Sequence, residues 1–253
     1  MTFDLVVATV GRAGELDALL SSLGRQTHGD FRVLLVDQNG DDRIAPVLAR
    51  HPSLRLERLS SPAGLSRARN AALPHLQGDV VAFPDDDCIY PDDLLERVAA
   101  RLDDGVDGVT GREPGWTTTA ATLTRENLWN RAISFTIFLR RSVVEQVGAF
   151  DESLGLPASS GEEIDYLIRA LDAGARIEYD PSLVVLHPAK AHDPAAVGAR
   201  DGESVGYILR KHRYPPRVVA RMLARPAAGI VVDPRRARFH LATLRGRVHG
   251  YRR

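Results

Sequence analysis

The stretch Val80-Val81-Ala82-Phe83-Pro84-Asp85-Asp86-Asp87 decides how this chain is interpreted. Its first four residues form a short apolar run with the length and composition of a buried strand. Three adjacent carboxylates follow, and because they repel one another they need a cation or an array of donors to hold them together. An apolar strand that ends in acidic residues predicts a ligand site at the end of that strand.

Similar apolar runs precede this stretch, and each has the length of a strand. They are Leu5–Thr9, Val33–Val36 and Leu54–Leu59, while the intervals Gly14–Leu23 and Leu65–Leu76 have helical composition. Strands that alternate with helices predict β-α-β units and a largely parallel sheet. In such sheets ligands bind at the carboxyl ends of the strands, so the residues that follow each run are the candidates for a site.

The spacing of the acidic residues after residue 84 suits metal binding. In an extended chain Asp85 and Asp87 project to one side and Asp86 to the other, so the first pair can share one hard cation. Mg²⁺ and Mn²⁺ prefer such oxygen ligands. The alternative is a helix N-terminus, where acidic residues are favoured by the helix dipole. That alternative explains Asp92 and Asp93, which open the next predicted helix, better than it explains the triplet.

A second acidic cluster, Gly161-Glu162-Glu163-Ile164-Asp165, begins another predicted helix. Its apolar residues recur with the helical spacing i, i+3, i+4 and i+7, at Ile164, Leu167, Ile168 and Leu171. Glu163 and Asp165 flank this apolar face on opposite sides, so either carboxylate can border a cleft. The alternatives are structural: Ser160 and Glu163 match a capping box, and Asp165 can pair with Arg169 one turn later.

The composition excludes several classes of protein. The 253 residues, with 44% hydrophobic and 26% charged side chains, are typical of a folded globular protein. No apolar run approaches the roughly 18 residues of a membrane span, and Asp4 interrupts a secretory core, so we expect a cytoplasmic protein. The single cysteine, Cys88, excludes an internal disulfide and a multi-cysteine metal site, and the sequence contains no G-x-x-x-x-G-K-[ST] phosphate loop.

The charges are unevenly distributed, although the formal net charge is zero. Residues 201–253 contain 13 Lys and Arg against 3 Asp and Glu, whereas residues 1–200 contain 20 against 30. We predict a domain of residues 1–200 followed by a basic, helical C-terminal extension of residues 201–253. Arginine-rich helices either contact anionic lipid at the inner face of a membrane or present an ordinary solvated face, and both interpretations stay open. Nucleic acid is not expected as a partner, because no interleaved aromatic platform for stacking bases accompanies the arginines.

Short motifs recur between residues 4 and 190. They are Leu5–Arg12, Leu34–Asn39, Gly64–Ala71, Asp85 with Asp87, Gly148–Glu152, Gly161–Asp165 and Tyr179–His187. In this order they resemble family 2 of the glycosyltransferases, which have the GT-A fold and use nucleotide-diphospho-sugars. The resemblance implies an α/β fold with a Rossmann-like, mainly parallel sheet flanked by helices in a single compact domain. Within it, residues 1–110 would form the nucleotide-sugar-binding half and residues 111–200 the acceptor and catalytic half. The sequence predicts a long loop or a partly helical excursion over Gly111–Asn130.

The resemblance also implies which residues bind the donor. They are Thr9, Arg12, Asp37, Gly64, Arg67, Arg69, Asn70, Asp85 and Asp86. Among them, Asp37 corresponds to the acidic residue that recognises the nucleotide base, and Asp85 would face the ribose. Asp87 would ligate a divalent cation, Mg²⁺ or Mn²⁺, that bridges the diphosphate, and His187 matches a histidine near that metal. A solvent-exposed histidine at a strand end is the alternative for His187.

The resemblance also implies a general base in the second acidic cluster. Glu163 stands where the family usually has the Asp of a Glu-Asp motif. Because this sequence departs from the pattern, Glu162 and Asp165 are rival candidates. The base would remove a proton from an acceptor hydroxyl, and a single displacement would invert the anomeric configuration.

The resemblance indicates the substrates by chemical class. The family implies transfer of a hexosyl group to a cell-envelope glycan, a polysaccharide or a lipid-linked precursor, and the expected loop Gly111–Asn130 would shape the sugar pocket. Two other classes remain as alternatives, a non-catalytic nucleotide-sugar-binding domain and a phosphatase of the D-x-D type. The phosphatase pattern needs Thr or Val where this chain has Ile89.

Overall fold

The structure, a computed structural model, describes residues 1–155, 160–188 and 193–253. Its strands are β1 (Phe3–Thr9), β2 (Phe31–Asp37), β3 (Leu56–Ser60), β4 (Val80–Ala82), β5 (Gly108–Arg112), β6 (Ala121–Thr122), β7 (Ile137–Arg140) and β8 (Ile177–Val184). They form one sheet in the order β3-β2-β1-β4-β7-β5-β8-β6. The strands β3, β2, β1 and β4 are mutually parallel, as the alternation of strand and helix predicts.

The helices between and after these strands complete an α/β architecture. They are α1 (Ala13–Leu23), α2 (Ala45–Leu48), α3 (Leu65–Ala72), α4 (Leu94–Asp103), α5 (Arg141–Val147), α6 (Glu162–Asp172), α7 (Pro194–Lys211), α8 (Pro216–Val232) and α9 (Ala237–Arg252). The predicted helix over 65–76 is shorter than expected, because α3 ends at Ala72 and a 3₁₀ turn with Pro74 follows. Proline lacks an amide hydrogen and so does not extend an α-helix.

Strand β1 lies at the centre of the parallel part of the sheet, and its register sets the position of the polar residues. Thr9 pairs with Asp37 at the end of β2, and Ala8 forms a bridge with Asp85 beyond β4. The carboxyl ends of three neighbouring strands therefore meet at one edge of the sheet. This is the edge at which the sequence predicts a site.

Burial on both faces explains why β1 is an almost continuous apolar run. Six of its seven residues are buried, including the acidic Asp4. The Asp4 carboxylate accepts hydrogen bonds from Arg32 Nε at 2.6 Å and from the backbone amide of Gly78 at 2.8 Å. These donors outweigh the burial that raises the pKa of Asp4, so the net shift of this pKa is downward.

One strand runs against the others in the middle of the sheet. The apolar segment Ile133–Leu139 forms a 3₁₀ turn followed by β7, and β7 pairs antiparallel with both β4 and β5. The preceding segment Gly111–Asn130, expected as a long loop or a partly helical excursion, contains the end of β5, the two-residue β6 and a 3₁₀ turn.

The described residues fall into two compact units. The first comprises Met1–Phe150 and Tyr166–Pro188, and it contains the whole sheet. The second comprises the described part of Asp151–Asp165 and Ala189–Arg253, which includes α7, α8 and α9. The predicted helical C-terminal extension is thus confirmed as helical. Among all described residues, no helix is both long enough and apolar enough to cross a membrane.

Glycines allow α7 and α9 to pack closely inside the second unit. Gly198, Gly202 and Gly206 recur every four residues and so share one face of α7. A Cβ atom added at Gly202 would lie 2.5 Å from the carbonyl oxygen of Thr243, and one added at Gly250 would lie 1.9 Å from that of Glu203. Side chains larger than hydrogen would force these helices apart.

Candidate active site

Two carboxylates and one imidazole converge at the carboxyl edge of the sheet. Asp85 and Asp87 follow β4, and His187 follows β8. A bridge between Ile89 and Leu186 joins the two segments that carry them. One ligand atom from each of Asp85, Asp87 and His187 lies within 4.8 Å of the others. The structure thus brings together the three residues that the sequence analysis associates with a metal or its diphosphate.

Neighbouring side chains fix the orientation of this cluster. The His187 ring stacks on Phe135, with ring centroids 4.9 Å apart and ring planes within 3° of parallel. His187 Nε2 lies 3.0 Å from Asp87 Oδ1. On the other side, Ser134 Oγ donates to both oxygens of Asp85, at 3.1 and 3.2 Å. These contacts hold the three side chains in fixed orientations, and fixed side chains lose less conformational entropy when a ligand binds.

The middle carboxylate of the triplet points away from this cluster. Asp86 accepts hydrogen bonds from Thr9 Oγ1 and from Arg12 Nη1, both at 2.8 Å. Arg12 Nη1 also lies 3.2 Å from Asp87 Oδ2. Burial raises the pKa of Asp86, although Thr9 and Arg12 act in the opposite direction. The arginine therefore offsets part of the repulsion that the triplet would otherwise create.

The donor atoms of the cluster fit a hard divalent cation. Asp85 and Asp87 supply carboxylate oxygens, the ligand type that Mg²⁺ and Mn²⁺ prefer, and His187 supplies a ring nitrogen. Asp87 is 1% exposed at its side chain, so its charge is largely removed from water. A buried carboxylate beside two others is stabilised by a nearby cation.

A second pocket of polar groups surrounds Asp37 at the end of β2. Asp37 Oδ1 accepts from the amide and side chain of Asn39, at 2.9 and 2.7 Å. Its Oδ2 accepts from Arg58 Nη2 at 2.7 Å. Burial raises the pKa of Asp37, but these donors outweigh it and the net shift is downward. Asp37 is thus a fixed anion on the same sheet edge as the triplet.

The Gly64–Ala71 segment places its polar residues in different environments. Gly64 has a φ of +136°, a conformation that favours glycine, and its amide donates to Gln38 Oε1 at 2.7 Å. Arg67 is exposed. Asn70 exchanges two hydrogen bonds with the backbone of Phe150, at 2.7 and 3.0 Å. Asn70 therefore connects α3 to the Gly148–Glu152 motif.

Arg69 is buried beneath the triplet. Its Nη2 lies 3.5 Å from Asp85 Oδ1, and its guanidinium packs over the rings of Phe83 and Phe150 at 5.6 and 5.4 Å from their centroids. A guanidinium is weakly hydrated and is attracted to aromatic faces, so it loses little free energy when it is buried against them in its charged form. Arg69 is thus a fixed cation on the side of Asp85 away from solvent.

The second acidic cluster lies at the start of α6, within the second unit. Glu162 and Asp165 are buried and Glu163 is half-buried. Asp165 Oδ1 is 2.6 Å from Lys211 Nζ and 2.7 Å from His212 Nε2. The candidate base Asp165 thus contacts two side chains at the C-terminal end of α7.

The same lysine reaches a further carboxylate of this unit. Lys211 Nζ is 2.6 Å from Asp151 Oδ2, which also accepts from the Tyr207 hydroxyl at 3.0 Å. Burial acts to raise the pKa of Asp151, but the hydrogen bonds from Lys211 and Ser153 outweigh it and hold this pKa well below its usual range. Lys211 thus connects the Gly148–Glu152 and Gly161–Asp165 motifs to α7.

Comparison with known proteins identifies the family of this chain. A model of a family described as "Glycosyl transferase family 2" matches residues 4–150, which is more than half of the chain. The chain belongs to glycosyl transferase family 2. The resemblance noted in the sequence is thereby confirmed. The matched range includes Asp37, Asp85 and Asp87 and ends before Glu163 and His187. The roles of all five residues stay predictions.

A relative of this family 2 chain is glycosyltransferase AglE of Haloferax volcanii. The two are 28% identical over 207 residues, which cover 74% of this chain and 66% of the relative. This family 2 chain thus spans slightly less than two thirds of the length of the relative.

Solved structures of similar fold extend the comparison. A mannosyltransferase from Pyrobaculum calidifontis, in complex with GDP-Man and Mn²⁺, has a TM-score of 0.73 at 18% identity, covering 98% of this chain and 86% of that one. S. aureus TarS 1–349, in complex with UDP-GlcNAc, has a TM-score of 0.64 at 18% identity, covering 100% and 92%. At such identity the likeness establishes the fold, and the predicted GT-A class is confirmed.

Several residues that build the site were absent from the sequence analysis. Ser134 and Phe135 belong to the apolar segment Ile133–Leu139, and Arg58 lies on the edge strand β3. Lys211 and His212 lie in the basic extension, which was considered for its charge, its helical character and a membrane contact. Lysine is rare in this family 2 chain, with Lys190 and Lys211 as its two examples. This rarity is the sequence feature that could have drawn attention to Lys211. Lys190 lies outside the described residues.

Proposed function

We propose that this family 2 chain transfers a hexosyl group from a nucleoside-diphosphate sugar to an acceptor hydroxyl, with inversion and with the help of a divalent cation. The observation that carries the proposal is the convergence of Asp85, Asp87 and His187 at the carboxyl edge of the sheet. These residues would hold Mg²⁺ or Mn²⁺. When bound, the cation would act as a Lewis acid that stabilises negative charge on the departing diphosphate.

The donor would lie along the edge that carries Thr9, Asp37 and Asp85. Asp37, which Asn39 and Arg58 hold as an anion, would accept a hydrogen bond from the nucleotide base. Arg12 is half-exposed beside the triplet, so its guanidinium can turn towards a phosphate oxygen. The complexes of the two similar structures with GDP-Man and UDP-GlcNAc support a nucleotide-sugar donor and leave its base and sugar open.

Glu163 is the general base in this proposal. It would accept the proton of the acceptor hydroxyl as the oxygen attacks the anomeric carbon. Asp165 is fully buried and bonded to Lys211 and His212, so it is better placed to anchor α7 than to receive a proton. Glu162 is 4% exposed, which restricts its access to an acceptor. Glu163 is the half-buried member of the cluster, and this favours it over both rivals.

The acceptor would be a hydroxyl of a cell-envelope glycan, a polysaccharide or a lipid-linked precursor. We also propose that the halves divide near residue 110 and that residues 201–253 form an extension able to contact a membrane from the cytoplasmic side. These assignments extend the sequence predictions.

The proposal is tested by an assay of the full chain with a panel of UDP- and GDP-sugars and hydroxyl acceptors. We expect release of nucleoside diphosphate that requires Mg²⁺ or Mn²⁺, stops with a chelator, and yields a product of inverted anomeric configuration by NMR. Donor binding without release for every acceptor would instead indicate a binding domain. Release of inorganic phosphate would indicate a phosphatase, and a product of retained configuration would contradict the single displacement.

A further inference from the structure

Helix α8 carries a row of exposed arginines. Arg217, Arg221 and Arg225 are all exposed and are spaced four residues apart, so they lie on one face of the helix. The adjoining face is apolar, with Val218, Val219 and Met222 buried. The three arginines therefore form the basic face of an amphipathic helix.

These arginines lack the neutralisation that arginines of the first unit receive. Across residues 1–155, 160–188 and 193–253, no carboxylate lies within ion-pair distance of Arg217, Arg221 or Arg225. In the first unit, by contrast, the exposed Arg43 and Arg55 have acidic partners, Asp41 at 2.6 Å and Asp30 at 2.8 Å. A surface with uncompensated positive charge attracts anions in its surroundings.

Positive charge is also crowded within the second unit itself. Burial lowers the pKa of Arg247 on α9, and the nearby Arg225 lowers it further. The Arg247 guanidinium donates to the backbone carbonyl of Met222 on α8, so this arginine is positioned between the two helices. An anionic partner at Arg225 would relieve this repulsion.

Exposed apolar side chains and further exposed arginines occur on α8 and α9. Val231 and Val232 end α8 and are 81% and 83% exposed, and Leu241 on α9 is 39% exposed. Arg238 and Arg245 lie one turn before and one turn after Leu241 and are also exposed. Arginines interleaved with exposed valine and leucine are typical of helices that lie at a membrane interface, with the apolar groups in the acyl boundary and the guanidinium groups at the phosphates.

We propose that the α8–α9 surface, defined by Arg217, Arg221, Arg225, Val231, Val232, Arg238, Leu241 and Arg245, docks on an anionic phospholipid bilayer. Charge complementarity favours an anionic bilayer as the binding partner, because the arginine row is basic and has no acidic partners among the described residues. The exposed apolar residues favour it over a soluble polyanion, which would leave them in water. The inference deepens the proposed function, because a chain docked on lipid meets a lipid-linked acceptor where that acceptor resides.

Vesicle binding tests the surface directly. The full chain is sedimented with phosphatidylcholine vesicles that either contain or lack phosphatidylglycerol, at low and at high salt. We expect binding only to the anionic vesicles, weakened by salt. The triple variant Arg217→Gln, Arg221→Gln, Arg225→Gln should lower the partition coefficient about 100-fold. Val231→Ser with Val232→Ser should lower it about tenfold, because less apolar area is removed from water.

A matched control separates the surface from net charge. The triple variant Arg43→Gln, Arg50→Gln, Arg55→Gln removes the same number of charges from exposed arginines that have acidic partners. This control should bind vesicles nearly as the wild type does. Equal loss in both triple variants would overturn the docking surface, since charge in general would then explain binding.

The remaining outcomes distinguish this inference from the proposed function. Wild-type protein that binds a nucleoside diphosphate with Mn²⁺ but not anionic vesicles would overturn the docking surface alone. Binding to RNA in place of vesicles would overturn it as well and assign the arginines to nucleic acid. Vesicle binding that follows the expected variant pattern, in a protein without transferase activity, would support the surface and contradict only the proposed function.

Discussion

His187 Nε2 lies 3.0 Å from Asp87 Oδ1, although the two residues come from the ends of β8 and β4 and are far apart in the sequence. The contact depends on the sheet order, in which β7 and β5 separate these strands, and on the bridge between Ile89 and Leu186 beyond their ends. An acidic triplet and a distant histidine thus become one group of ligand atoms.

Replacing Asp87 with Asn tests the cation site. The substitution keeps the shape of the side chain but removes one charge from a group that is 1% exposed. We expect Mn²⁺ affinity, measured by calorimetry, to fall by at least about tenfold and metal-dependent transfer to be lost. Asp93→Asn is the matched control, because Asp93 is exposed beside α4 and pairs only weakly with Arg97 at 3.7 Å. Equal Mn²⁺ affinity in both variants would exclude Asp87 as a ligand.

Replacing Glu163 with Gln tests the general base. General-base assistance is worth about 10²–10⁴-fold, so kcat should fall by that factor. The Kd of the donor should stay within about twofold, because Glu163 would act on the acceptor and not on the donor. Glu145→Gln on α5 is the control, since that exposed carboxylate pairs with Arg141 within its own helix. Near-normal kcat in the Glu163 variant would contradict Glu163 as the general base and indicate that another carboxylate has this role.

Asp165 should respond differently, because its partners give it a structural role. Asp165→Asn leaves Lys211 and His212 without the carboxylate that they contact at 2.6 and 2.7 Å. Removing one partner of a buried ion pair costs about 3–5 kcal/mol, so we expect a loss of that order in the free energy of unfolding. Urea denaturation measures it. A variant with wild-type stability and a large loss of kcat would instead identify Asp165 as the base.

The acid stability of the second unit should depend on Asp151. Its carboxyl pKa is depressed in the folded chain from an ordinary value of 3.8, mainly by the hydrogen bonds from Lys211 and Ser153, which outweigh burial. A depressed pKa contributes stability above the unfolded value, and that contribution is lost as the pH falls below it. Thermal unfolding of Asp151→Asn should therefore show a smaller fall in Tm than the wild type between about pH 5 and pH 3. Parallel curves would contradict this assignment.

The sequence predicted the parts of the fold that depend on local pattern. Alternating strands and helices indicated the parallel sheet. Polar residues after each strand indicated that the candidate site lies at the carboxyl edge of this sheet. The i, i+2 spacing of Asp85 and Asp87 placed them on one side, and both now belong to the same cluster. Such features follow from backbone geometry alone, so no knowledge of distant residues was needed.

The rest of the site depends on contacts between distant segments. β7 runs antiparallel between β4 and β5, and a short apolar run does not reveal its direction. That placement is what brings Ser134 to Asp85 and Phe135 to His187. Local pattern likewise left Asp165 as a candidate base, because its partner Lys211 lies on a helix whose packing only the tertiary structure defines.

The most direct test of the cation site is an anomalous-scattering map of a crystal grown with Mn²⁺ and a nucleoside diphosphate. We predict a manganese peak coordinated by Asp85, Asp87 or both, close to His187 and in contact with the diphosphate, while Asp37 contacts the base. A nucleotide bound without manganese at Asp85 and Asp87, or manganese bound elsewhere in the chain, would contradict the proposal that this cluster holds the cation of the transfer reaction.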